Sequence, residues 1–119
     1  MRTPLGIATV LLILAGLAAA QAPVNVHDGF FSGRQFLDLP QEVRFFYAPG
    51  LVDGIFLAPL LGAPEQNLER LVACLEKMTN QQVAALLYSY LDSHPEWWQR
   101  GANTAMYQAL NEKCATAPQ

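Results

Sequence analysis

The fold is decided by residues 79–91, TNQQVAALLYSYL, which carry the clearest helix signal in the chain. Thr79 and Gln82 stand three residues apart, the spacing of a capping box, in which each side chain satisfies a backbone N–H at the start of a helix. His94 precedes Pro95, and a residue before proline avoids the helical conformation, so the helix is expected to end there. Apolar residues recur at intervals of three and four and form the predicted buried face, which comprises Val83, Leu86, Leu87, Tyr90 and Leu91.

Helical periodicity extends from this segment in both directions. On the N-terminal side, Ser32 opens a short helix that bears Phe36, and a longer helix is predicted to begin with Asp38 as its N-cap. A further helix is predicted over residues 65–78 and a last one over residues 102–113. No segment alternates with a period of two for long enough to indicate a strand. The sequence therefore predicts an all-α fold, a small single-domain bundle of about four to five helices.

The longer of these N-terminal helices has an apolar stripe that contains two glycines. Pro49 lies within the stripe and is expected to kink the helix rather than end it, because it removes one backbone hydrogen bond. Gly50 and Gly54 are four residues apart and leave a smooth strip that another helix could approach closely. The stripe consists of Val43, Phe46, Tyr47, Gly50, Leu51, Gly54 and Ile55.

The two cysteines, Cys74 and Cys114, are predicted to form one disulfide. Short connections make neighbouring helices antiparallel, so the helices that bear the cysteines run in the same direction and end on the same side of the bundle. This topology can bring the two Cα atoms within the roughly 7 Å that a disulfide requires. Closing so long a loop should stabilise a small domain by roughly 4 kcal/mol.

The first twenty residues have the pattern of a secretory signal peptide, with Arg2 followed by an apolar run over residues 5–17. That run is shorter than the roughly 20 residues that span a bilayer, so no permanent membrane anchor is expected. Cleavage is predicted after Ala20, because a cut after Ala22 would place Pro23 next to it. The mature protein is expected in the periplasm, where disulfides persist. The expected organisation is a signal peptide over 1–20, a flexible leader over 21–31, a helical domain over 32–114 and a tail over 115–119.

Composition and charge exclude several classes of protein. The 119 residues include seven Lys and Arg against ten Asp and Glu, a net charge of −3, which becomes −4 once Arg2 is removed with the signal peptide. This is too little clustered positive charge for a nucleic-acid partner. With 52% apolar and 14% charged residues, the chain is also unlike a disordered tail protein.

Catalytic motifs are scarce. His27 and His94 are the only histidines, and the cysteines are predicted to be paired, so a Cys–His nucleophile is not expected. The chain has no glycine-rich phosphate loop, no zinc-binding helix motif and no nucleophile elbow. We therefore expect no enzyme activity, no metal site and no cofactor.

Four polar residues fall on or near apolar helix faces: Tyr47, Asp53, Gln82 and His94. The favoured interpretation is an internal hydrogen-bond network that fixes the register of the helices. The alternatives are a ligand-binding constellation and simple exposure to solvent.

The adjacent residues Trp97 and Trp98 cannot both face the same core from one helical turn. One ring is expected to pack and the other to be at least partly exposed beside Glu96 and Arg100, where it would resemble the anchor of a protein interface. The alternative is that both rings mainly cover the core. The candidate partner-binding residues are Glu96, Trp97, Trp98 and Arg100.

The order and spacing of several short motifs resemble the Rap/Tai family, small exported helical proteins typified by immunity proteins against type VI secretion amidase effectors. The similarity covers residues 30–114. The segment 37–40 lacks a cysteine that many members carry, which indicates a divergent branch. The motifs are Tyr47-x-x-Gly50-x-x-Asp53-Gly54, Cys74, Met78-Thr79-x-x-Gln82, Tyr90-Leu91-x-x-His94-Pro95-Glu96-x-Trp98, Ala109-Leu110 and Cys114.

The resemblance implies a compact helical bundle, often a homodimer, that acts by occluding the active site of a partner. It therefore predicts a periplasmic immunity or inhibitor protein whose partner is a secreted amidase or another periplasmic toxin. The alternative is a periplasmic chaperone or ligand-binding accessory protein with an apolar surface that acid or ligand removal would release. Such a switch would have to be carried by the carboxylates, since the chain has only two histidines.

Overall fold

The structure, a computed structural model, describes residues 28–115, apart from the side chains of residues 66 and 67. The predicted all-α fold is confirmed, with five α-helices and no strand in this part of the chain. The helices are α1 (Gly33–Asp38), α2 (Gln41–Phe56), α3 (Gln66–Leu75), α4 (Asn80–Ser93) and α5 (Ala102–Cys114), with 3₁₀ turns at Ala58–Leu61 and Pro95–Trp97. The predicted signal peptide and its cleavage site, most of the leader and most of the tail lie outside the described residues.

Two of the helices begin as capping boxes. In α4 the backbone N–H of Thr79 donates to Oε1 of Gln82 at 2.8 Å, and the N–H of Gln82 donates to Oγ1 of Thr79 at 3.2 Å, as predicted. Ser32 and Gln35 make the same pair of bonds at the start of α1. The predicted N-cap of α2 is wrong: Asp38 ends α1 instead, and α2 begins after Pro40, whose fixed φ suits the entry to a helix.

The central element is α4, which packs against α1, α2 and α5, most extensively against α2. Its buried residues Leu87 and Leu91 are fully covered by these neighbours. Pro49 does not end α2, which continues to Phe56. The core of the described domain comprises Phe36, Ala48, Val52, Leu71, Val83, Ala84, Leu87, Tyr90, Leu91, Ala102, Ala105, Met106, Ala109, Leu110 and Cys114.

Residues 28–31, predicted as the end of the flexible leader, are instead joined to the connection between α4 and α5. The N–H of Ala102 donates to the carbonyl of Phe31 at 2.8 Å, and the ring of Phe31 lies edge-on to Tyr47 with 5.0 Å between centroids. The N–H of Gly33 donates to the carbonyl of Arg100, also at 2.8 Å. The packed domain therefore includes residues before the predicted boundary at residue 32.

The predicted disulfide is confirmed. Cys74 of α3 is bonded to Cys114 at the end of α5, with 5.7 Å between the Cα atoms. A guanidinium N–H of Arg70 donates to Oδ1 of Asn111 at 3.3 Å and forms a second link between the same two helices. None of the helices within residues 28–115 combines the length and the apolarity needed to cross a bilayer.

Candidate interaction surface

Helix α2 is apolar on the side that faces the core and also on the side that faces solvent. Ala48 and Val52 are buried on the inner side. The opposite side, which we call the outer face of α2, carries Val43, Phe46, Gly50, Gly54 and Leu57 at intervals of three and four, with the exposed carboxylates of Glu42 and Asp53 along its edge. Phe46 is 78% exposed and Leu57 is 55% exposed. Large apolar side chains are normally turned away from solvent on an amphipathic helix, so their exposure here makes the outer face a candidate interaction surface.

The glycine strip on this face is open. A Cβ added at Gly50 or at Gly54 would meet no atom within 4 Å, so no helix of the described domain approaches the strip that was predicted to allow close approach. The stripe that contains the two glycines therefore did not identify the buried side of α2, because α4 covers the side that carries Ala48 and Val52.

The exposed apolar surface continues beyond the helix into the 3₁₀ turn. Leu60 is 82% exposed and Leu61 is 88% exposed, and Gly62 ends the turn in the left-handed region at a φ of 96°. Exposed large apolar residues that stand singly are ordinary, but a contiguous group marks an interaction surface. These leucines and the outer face of α2 form such a group.

Between this turn and α3 lies an open groove of about 690 Å³, which we call the α3 groove. Its walls are apolar and its rim carries three glutamates. Helix α3 is strongly amphipathic, with Leu71 fully buried on the core side and Val72 38% exposed on the groove side. The residues that line the groove are Phe56, Pro59, Leu60, Glu65, Leu68, Glu69, Val72, Ala73 and Glu76.

The carboxylates of the rim are not neutralised within the domain. In residues 28–115 the one ion pair joins Arg34 to Asp38 at 3.1 Å, on the surface of α1. Arg70, the arginine of α3, is directed to Asn111 on α5. The groove therefore presents apolar walls beneath negative charge.

The two tryptophans cover the joint between α4 and α5. Both are half-buried, and the indole N–H of Trp98 donates to the carbonyl of Leu91 at 2.8 Å. The guanidinium of Arg34 lies 5.0 Å from the ring centroid of Trp98, and that of Arg100 lies 4.5 Å from the ring centroid of Trp97. Each ring is thus covered on one side by an arginine. Of the two rings, that of Trp97 packs against the core, whereas that of Trp98 is half-buried outside it. This arrangement agrees with the expectation of one packed ring and one partly exposed ring, with Glu96 and Arg100 exposed beside them.

The four polar residues predicted to form an internal network are not brought together, and that prediction is wrong. Within the described domain no polar or charged side chain is buried. Asp53 is exposed on α2, and Gln82 is exposed and caps its own helix. His94 places Nδ1 2.7 Å from the carbonyl of Tyr90 and stacks on its ring, while Tyr47 packs on Phe31. Gln82 and His94 bond to backbone groups of their own helix and Asp53 faces solvent, so the four residues share no network.

Two tyrosines of the domain have a raised phenol pKa. Burial raises the pKa of the Tyr90 phenol, and the negative charges of Glu112 and Glu96 raise it further. Burial also raises the pKa of Tyr47, and a hydrogen bond with the backbone of Phe31 partly offsets that rise. Both shifts favour the neutral phenol, which is a property of packing and supplies no acid or base near neutral pH.

Two smaller cavities lie elsewhere. One of about 160 Å³ is lined by Arg44 and Tyr88, and another of about 370 Å³ has Lys77 and Lys113 at its edge. Over residues 28–115 no three side chains of His, Cys, Asp or Glu are grouped as a metal site would require. The comparisons with protein families, with curated proteins and with solved structures find no match for this chain.

Proposed function

We propose that the protein is an exported immunity or inhibitor protein, which binds a secreted toxin such as a peptidoglycan amidase and blocks its active site. The proposal combines the resemblance to the Rap/Tai family with one observation on the fold. That observation is the large apolar surface on the outer face of α2 and the following turn, where Phe46, Leu60 and Leu61 are mostly exposed.

This surface has the composition of a protein-binding site. Interfaces of standard size bury about 800 Å² on each partner and are centred on a few aromatic or large apolar anchors. Phe46 has the exposure of such an anchor, and Gly50 and Gly54 beside it let a partner reach the backbone of α2. A protein that acts by occlusion needs only such a surface.

The chaperone alternative is less well supported in its acid-switched form. A switch requires an apolar surface that is hidden at neutral pH and released by protonation. Here Leu57, Leu60 and Leu61 are exposed without any rearrangement. An apolar dye that binds only after acidification would nevertheless support the alternative over our proposal.

The proposed function is tested by co-expression in the periplasm. The mature protein should restore growth to cells that export an amidase-type toxin, whereas Phe46→Asp should not, because it places a charge at the centre of the interface. Phe30→Asp is the matched control, since Phe30 is 66% exposed but does not belong to the outer face of α2. Failure of the unmodified protein to bind or neutralise any peptidoglycan hydrolase would contradict the proposal.

A further inference from the structure

We infer that the α3 groove binds a cationic amphipathic helix of the partner protein, with apolar side chains on the groove walls and Lys or Arg side chains along the glutamate rim. The inference rests on the proposed function for the identity of the partner. The apolar and cationic character of the bound segment is inferred from the groove alone.

The walls fit the apolar stripe of a helix. An amphipathic helix that binds in a groove presents anchors at intervals of three and four residues. The α3 groove offers Phe56, Leu60 and Leu68 along its length and holds a volume of about 690 Å³ that is open to solvent on one side. Leu60 is 82% exposed and would lose most of that exposure under such a helix.

The negative charge of the rim favours a positively charged partner segment. With 3.6 residues per turn, Glu65, Glu69 and Glu76 lie on the side of α3 that carries Val72, while Arg70 and Lys77 lie on the other side. The three carboxylates span about 16 Å along the helix axis, the length of three turns of a partner helix. A helix with Lys or Arg on the flank of its apolar stripe that faces α3 would meet Glu65 and Glu69 about one turn apart and Glu76 about two turns further on.

The same charge disfavours other occupants. An anionic membrane surface or a nucleic acid would be repelled by the rim. A second copy of the chain is also poorly suited, because residues 28–115 contain six of the seven Lys and Arg against all ten Asp and Glu. Four of those cations already have contacts within the domain: Arg34 with Trp98, Arg44 with Tyr88, Arg70 with Asn111 and Arg100 with Trp97.

The probe is a designed helical peptide of about 15 residues, the shortest length at which an isolated helix is populated. It carries leucines at positions i, i+3, i+4 and i+7 flanked by lysines, and a matched peptide carries glutamates in place of the lysines. Fluorescence anisotropy with the oxidised mature protein should show binding of the lysine peptide only. The affinity should fall as salt is raised, because the rim charges are exposed and screened.

Two variants locate the binding. E65Q/E69Q/E76Q should weaken the lysine peptide about tenfold at low salt, the sum of three exposed ion pairs, and should remove the salt dependence. L60S/V72S should also weaken binding of the lysine peptide, because it removes two apolar side chains from the groove walls. The matched control D28N/D92N/E112Q removes three exposed carboxylates that do not line the groove and should leave the affinity unchanged.

Each other outcome would overturn the inference. These outcomes are no binding of the lysine peptide, equal binding of the glutamate peptide, and equal weakening by the control variant. Self-association of the protein that L60S/V72S abolishes would assign the groove to a second copy. A toxin complex that is insensitive to both groove variants would support the proposed function and contradict the inference. Binding of the lysine peptide without formation of any toxin complex would support the inference and contradict the proposed function.

Discussion

Gly33 and Gly50 are both helical, but a side chain would be excluded at the first position and tolerated at the second. A Cβ at Gly33 would lie 2.6 Å from Cδ2 of Leu91 and 2.6 Å from the carbonyl oxygen of Trp97, whereas a Cβ at Gly50 would meet nothing within 4 Å. The first glycine is required by the contact between α1 and the joint that follows α4. The second is not required by any contact within the described domain.

The same substitution should therefore have opposite effects at the two sites. Gly33→Ala should destabilise the domain by about 1–3 kcal/mol through overpacking, and Gly50→Ala should stabilise it by about 0.5–1 kcal/mol because alanine restricts the unfolded chain. Urea unfolding of the oxidised proteins measures both. Equal shifts in the same direction would show that the packing described at Gly33 is incorrect.

Tyr90 is expected to make the stability of the protein fall at alkaline pH. The pKa of its phenol is raised in the folded state, so the folded protein holds the proton more tightly than the unfolded chain. Stability contributed in this way is fully present below the ordinary pKa of 10.0 and falls as pH rises through the higher folded value. Tyr90→Phe should flatten the fall in urea midpoint between about pH 9 and 11.

The matched control for this experiment is Tyr107→Phe, which alters an exposed ring. It should leave the fall in midpoint unchanged. Glu112→Gln should lower the pKa of Tyr90, since the charge of that glutamate helps to raise it, and absorbance of the phenolate would report the change directly. An unaltered titration in Glu112→Gln would rule out the electrostatic contribution.

Among the elements, α3 depends most on a covalent link. It packs chiefly against α5 and is joined to it by the disulfide, which spans a sequence separation of 40 residues. Replacing both cysteines by serine should cost about 4 kcal/mol in the chain-entropy account. Helix α4, which is covered by three other helices, should keep its structure longest.

Hydrogen exchange of the Cys74→Ser/Cys114→Ser protein would test this order of stability. Amides of α3 should lose protection at lower urea than those of α4, because local opening begins where few buried contacts hold an element. The oxidised parent protein is the reference. Simultaneous loss of protection in both helices would show that the disulfide supports the whole bundle equally.

The elements that sequence predicts well are those whose signals are local. The capping box at Thr79 and Gln82 predicts the start of α4 because both partners lie within one turn. The buried face of α2 could not be predicted in the same way, because apolar residues occur on several sides of the helix and only the packing against α4 decides that Ala48 and Val52 face inward. The need for glycine at residue 33 was equally invisible, since Leu91 and Trp97 lie far along the chain.

For the whole molecule, the exposed leucines of the 3₁₀ turn should be dispensable for folding. Leu60→Ser/Leu61→Ser should change the free energy of unfolding by no more than about 0.5 kcal/mol, as expected for surface positions. It should also reduce the fluorescence of an apolar dye bound to the protein at neutral pH. Leu87→Ala, at a fully buried position, is the contrasting control and should cost about 2–5 kcal/mol.

A large loss of stability in the leucine variant would show that the turn is covered in the folded protein.

The candidate surface itself was only partly predictable. The motif at residues 96–100 drew attention to two tryptophans whose rings are covered by Arg34 and Arg100. The larger apolar surface lies on α2 and the turn, because exposure depends on tertiary packing that no local pattern records.

The position of α5 has a consequence for how the chain is made. Six residues of this helix are buried, among them Met106, Leu110 and Cys114, and it is the last helix of the domain. A polypeptide is synthesised from its N-terminus, so α4 lacks one of its three packing partners, and Cys74 lacks its second thiol, until α5 has emerged. The nascent chain therefore cannot complete its core or form its disulfide until its last helix has been released.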